Sequence, residues 1–72
     1  MKHLPKPTFP KTRRQIAVEY ALDVKVLRRK LLQARIKIPP GQILVKDQKR
    51  IYKALGPPSF IWIDKGTLVP FK

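Results

Sequence analysis

Proline decides where this chain can and cannot be helical. Pro5, Pro7 and Pro10 fall near the N-terminus, pairs stand at Pro39-Pro40 and Pro57-Pro58, and Pro70 lies close to the end. Each fixes its own φ, lacks an amide proton, and biases the residue before it towards extended backbone. The proline-free runs long enough for a helix are 11–38, 41–56 and 59–69, and helical spacing of apolar residues appears in the first two. A chain of 72 residues has room for one small domain. A domain of that size buries only roughly 60% of the surface its unfolded chain exposes, so the core must be compact. With 43% hydrophobic residues the composition is not that of a disordered chain. There is no cysteine, so neither disulfides nor a cysteine zinc site can assist folding. Burying a few amphipathic helices is the economical route left.

Within the first run, Thr12-Arg13-Arg14-Gln15 fits a capping box, in which Thr12 and Gln15 satisfy each other's amides. Ile16, Ala17 and Tyr20 follow at helical spacing, which predicts a first helix over about 13–21 with a narrow apolar face. Asp23 is a good N-cap for a second helix. There Leu27, Leu31 and Ala34 form one stripe while Lys25, Arg28, Arg29 and Arg35 project elsewhere. This helix should end near 35–37, ahead of Pro39. Two helices about two residues apart cannot lie antiparallel, so Ala21 and Leu22 form the bend of an angled corner.

The connector IPPGQILV supplies Ile38, Ile43 and Leu44 as apolar contacts. A third helix is predicted over about 47–55, with Ile51 and Leu55 one turn apart, Tyr52 beside them, and Gly56 as a left-handed cap. In SFIWIDKGTLVPFK, Phe60–Ile63 and Thr67–Val69 flank a turn at Asp64-Lys65-Gly66 and read as a β-hairpin. Pro70 keeps the second strand at an edge or an end. An isolated hairpin is marginal in water, so this one should pack on the helices or pair with another chain. The expected fold is mainly α: a basic proline-rich arm (1–11), a three-helix core (12–56), and a C-terminal hairpin extension (57–72) that could act as a wing.

Charge bears on function. The chain carries 17 Lys+Arg against 4 Asp+Glu, a net of +13. Self-repulsion at that level destabilises a compact fold, so a polyanionic partner is expected. A merely soluble surface would intersperse both signs. Here residues 24–37 hold six basic groups and no acid, and residues 46–53 hold four with one Asp. That distribution favours nucleic acid over an anionic membrane surface or an acidic protein. No window approaches the ~18 apolar residues of a membrane span. The start MKHLPKPTFPK lacks the apolar centre of a secretory signal. The expectation is a cytoplasmic, nucleoid-associated protein without a membrane partner. His3 is alone, and the carboxylates Glu19, Asp23, Asp47 and Asp64 are scattered. This predicts no metal site, no cofactor and no catalytic constellation, hence no enzyme. Phe60 and Trp62 could stack on single-stranded bases, but their apolar run favours core packing.

Residues 12–32, TRRQIAVEYALDVKVLRRKLL, resemble a helix-turn-helix DNA-binding unit. Ile16 and Ala17 match the apolar and small residues of its first helix, where the small side chain admits the second helix closely. Tyr20, Ala21, Leu22 and Asp23 match the apolar residue, the turn, the next apolar residue and the cap. Leu27 and Leu31 match the inward stripe. The arrangement is similar to small bacterial and phage regulators with the pattern T-x-x-x-I/L-A-x-x-Y-G-V/L-S/D. Two positions depart from it. Ala21 stands where glycine is usual, so a left-handed turn there would be strained. Lys30 stands where an apolar residue is frequent, leaving that packing role to Leu31.

The resemblance implies that the second helix enters the major groove by its N-terminal half. Val24, Lys25, Arg28 and Arg29 would face bases, Arg28 and Arg29 foremost, through guanine O6 and N7, with Val24 on a thymine methyl. Lys11, Arg13, Arg14, Lys49 and Lys53 would meet phosphates, as would Lys65 at the hairpin tip. The expected partner is double-stranded DNA, for a transcriptional regulator or an accessory factor of a mobile element. The same composition also suits an RNA-binding ribosomal or ribosome-associated protein. A third reading is an interaction module of a larger transcription complex, with the hairpin as its homodimer or protein contact.

Overall fold

The computed structural model describes residues 4–71. Three helices, α1 (Arg13–Glu19), α2 (Val24–Gln33) and α3 (Val45–Leu55), precede an antiparallel hairpin of β1 (Phe60–Asp64) and β2 (Thr67–Pro70). The capping box at the start of α1 is formed. The Gln15 amide donates to Thr12 Oγ1 at 3.1 Å, and the Thr12 amide donates to Gln15 Oε1 at 2.9 Å.

Both α1 and α2 end on the same device. Ala21 takes φ 55° and Arg35 φ 58°, so the chain turns left-handed at the residue after each C-cap, Tyr20 and Ala34. After α1, the Leu22 amide donates to Ala17 O and the Ala21 amide to Val18 O; after α2, Ile36 donates to Leu31 O and Arg35 to Leu32 O. These are paired Schellman bonds, which satisfy the last carbonyls of each helix. The predicted left-handed turn at Ala21 is thus present and made without glycine. The stop at Arg35 ends α2 earlier than the prolines require, because it lets Ile36 fold back into the core, where it is 8% exposed.

The apolar core is Ile16, Ala17, Leu27, Leu31, Ile36, Ile43 and Ile51, with Tyr20, Ile38 and Leu55 packed against it. Leu44, expected to contribute, is 48% exposed instead and stands as N-cap of α3 without a capping side chain. Helix α3 starts two residues ahead of expectation because tertiary bonds hold its entry. Ile43 exchanges both backbone bonds with Lys11, and Gln48 Nε2 donates to Ile43 O and Phe9 O. At its far end Gly56 adopts φ 85°, ψ −175°, a region open to little but glycine. Its carbonyl accepts from Tyr20 Oη at 2.6 Å.

Residues 4–11 are extended as predicted, but they are docked on the protein. Pro5, Pro7 and Lys11 are all buried. The hairpin likewise packs on α1. Trp62 Nε1 donates to Gln15 O at 3.0 Å, and the Ser59 amide donates to Glu19 O. Trp62 is therefore committed to packing, in line with its apolar run. Within the hairpin the pairing slips between Trp62 and Asp64, leaving Ile63 as the bulged residue, and Pro70 sits opposite Phe60 at the strand end.

Candidate nucleic-acid interface

Helix α2 owes its orientation to two side chains. Leu27 (1% exposed) and Leu31 (6%) face inward, and the remaining residues follow from the 100° step of the helix. Val24, Lys25, Arg28 and Arg29 all lie exposed on the solvent side. Lys25 and Arg29 form the crest. Val24 and Arg28 lie on the flank beside Leu31. Lys30 points to solvent on the opposite flank, so Leu31 alone fills the packing role. Asp23 is the N-cap residue of α2 by position, but its side chain makes no capping hydrogen bond.

Beside the Val24–Arg28 flank runs an open groove of ≈ 630 Å³, walled on its far side by Ile38, Pro40 and Gly41. Arg13 fixes that wall. Its Nη1 donates to Gly41 O at 2.9 Å, and its Nη2 donates to Pro39 O at 2.8 Å and Ile38 O at 3.1 Å. The guanidinium expected on phosphate is spent on three connector carbonyls, so Arg13 acts as a loop clamp that adds positive charge to the groove.

Lys11 requires a larger correction. It is 0% exposed and cannot reach a phosphate. Its Nζ lies 2.7 Å from Glu19 Oε2, donates to Tyr52 Oη at 3.1 Å, and sits 5.3 Å from the Phe9 ring centroid. Tyr52 Oη donates to Glu19 Oε1 at 2.6 Å, and the Trp62 amide donates to Glu19 Oε2 at 3.1 Å. One carboxylate thus gathers the N-terminal segment, α1, α3 and β1. Burial, reinforced by the Glu19 carboxylate, raises the hydroxyl pKa of both Tyr20 and Tyr52 well above the ordinary phenol range. Both therefore stay neutral donors.

The other predicted phosphate contacts are accessible. Arg14, Lys49, Lys53 and Lys65 are exposed. Lys49 and Lys53 join Lys46 and Arg50 along the outer face of α3, so the four basic residues of 46–53 all face solvent, as the sequence indicates. Lys49 also borders a recess shared with Lys6 in the N-terminal segment. Only Arg13, Arg28 and Val24 of the predicted site share one groove.

The acids explain why so much of the exterior is positive. Glu19 is fully buried and Asp47 is 4% exposed, leaving Asp23 and Asp64 as the carboxylates at the surface. Among the described residues no group of three His, Cys, Asp or Glu could hold a metal, and no helix is long and apolar enough to cross a membrane. His3 lies outside the described residues. No family model, curated protein or solved structure matches the chain.

Proposed function

We propose that this chain is a small DNA-binding protein in which α1 and α2 form a helix-turn-helix and α2 enters the major groove. The observation that carries this reading is the division of α2. Leu27 and Leu31 anchor it, while Val24, Lys25, Arg28 and Arg29 stand together on its exposed, acid-free side. The tight Schellman turn after α1 supports the reading, since it joins the two helices without slack. The arginines suit guanine edges and Val24 a thymine methyl. Exposed Arg14, Lys49, Lys53 and Lys65 suit phosphates, which position a protein without reading sequence. The role is that of a transcriptional regulator or an accessory factor of a mobile element, non-enzymatic and nucleoid-associated.

The test is selection from a randomised duplex DNA pool, followed by competition with structured RNA of equal length at matched salt. A consensus sequence should emerge and duplex should outcompete RNA. Binding without a consensus, or preference for RNA, would overturn sequence-specific DNA reading and favour a ribosome-associated role.

A further inference from the structure

The groove beside α2 has a chemistry that duplex DNA does not use. Its floor is apolar, formed by Leu31, Ile36 and Ile38. Its open side leaves Leu32 69% exposed, the most exposed large hydrophobic side chain among the described residues. Arg28 and Lys37 stand at its rim, no carboxylate lines it, and neither cation has an ion-pair partner among the described residues. Both walls are held in place. The left-handed stop at Arg35 sets Ile36 over Leu31, and the three bonds from Arg13 hold the connector opposite. A volume of ≈ 630 Å³ lies within the usual range for small-molecule sites, which pair apolar lining with a few placed polar groups.

We propose that this groove binds a small apolar carboxylate, its hydrocarbon body on Leu31, Ile36 and Ile38 and its carboxylate between Arg28 and Lys37. A phosphodiester backbone has no use for the apolar floor, and the crest residues Lys25 and Arg29 would meet DNA first. A carboxylate complements the two rim cations, which no acidic side chain of the lining offsets. Because Val24 and Arg28 belong both to this groove and to the base-reading set, an occupied groove excludes DNA from that flank. The ligand is then an effector that releases DNA, a consequence that rests on the DNA-binding reading.

The probe is 1-naphthoate, whose ring current shifts nearby methyl resonances, with neutral 1-naphthalenemethanol as the charge control. Titration into the full chain should give saturable shifts at the methyls of Leu31, Leu32, Ile36 and Ile38. The neutral analogue should bind about tenfold more weakly, the loss expected for one charge-assisted hydrogen bond. Arg28→Ala with Lys37→Ala should weaken 1-naphthoate by about tenfold or more. Lys49→Ala with Lys53→Ala, equal in charge but on α3, should leave it within about twofold. Equal weakening by both pairs, shifts scattered over every basic face, or no saturable shift would each overturn the site. Displacement of selected duplex by 1-naphthoate, retained in wild type and lost in Lys37→Ala, supports the effector role. If no duplex binds at all, the DNA reading fails while the methyl shifts still decide the groove.

Discussion

Ala21 and Arg35 show what a single residue contributes to this fold. Each holds a left-handed φ (55° and 58°) that crowds Cβ against the backbone, at roughly 1–2 kcal/mol. Glycine removes the crowding but adds freedom to the unfolded chain, which offsets part of the gain. Ala21→Gly and Arg35→Gly should therefore each stabilise by about 0.5–1 kcal/mol. That corresponds to several degrees in Tm for a domain this small. Urea unfolding of each variant is the check, and a lower midpoint for either would show that its turn is not strained. Gly56 is the converse case, since its ψ of −175° suits no other residue and Tyr20 depends on its carbonyl.

The proposed DNA contacts and the hairpin turn each belong to single elements. On α2, Arg28→Ala should cost roughly 1–3 kcal/mol and relax preference at one base pair. On α3, Lys53→Ala should weaken all sequences alike and lower the salt slope by about one. Matched salt titrations on selected and scrambled duplexes separate the two, and identical sequence-independent losses would mean that α2 touches only backbone. In the hairpin, Asp64 Oδ1 accepts the Gly66 amide at 2.9 Å. That bond, with a further one from Thr67, holds the carboxyl pKa below its ordinary 3.8. A depressed folded pKa means stabilisation that is complete above the unfolded value and is lost as pH falls through the folded one. The turn should therefore loosen only in acid below about 3.8, in step with Asp64 protonation. Following the Asp64 carboxyl carbon and the Gly66 amide by NMR tests this. A midpoint at or above 3.8 would show that the turn does not favour the carboxylate.

At the scale of the whole molecule, the buried Lys11–Glu19–Tyr52 cluster joins segments that would otherwise be separate. A buried ion pair adds little over an apolar replacement, but breaking it leaves an unpaired charge at about 3–5 kcal/mol. Lys11→Met and Glu19→Gln should each destabilise by that amount. The double variant should recover part of the loss, because both charges are then gone and residue 19 still accepts from Tyr52, while the Trp62 amide loses its acceptor. Additive losses in a double-mutant cycle would mean that the pair is not coupled. The same burial shapes the surface charge. With Glu19 and Asp47 sequestered, a net charge of +13 is presented by a surface with few carboxylates, which steers polyanions towards it.

What the chain's local chemistry determines on its own is the number and kind of its elements. Proline pairs, the Thr12–Gln15 capping box, the Leu27–Leu31 stripe and the Asp64-Lys65-Gly66 turn all act within a few residues, and the three helices and hairpin stand where they indicate. The exposed face of α2 was legible for the same reason, since helical periodicity alone sends Lys25, Arg28 and Arg29 opposite the leucines. Glu19 offered a further local sign. It lies three residues after Ile16 on the inner stripe of α1, where an acid needs a buried partner. Only tertiary structure could name that partner, because Lys11 and Tyr52 reach Glu19 across eight and 33 positions. It also turned Arg13 inward onto connector carbonyls, docked the proline-rich segment, and began α3 at Val45. Each of these outcomes depends on contacts between residues distant in sequence, and no periodicity or capping signal encodes such contacts.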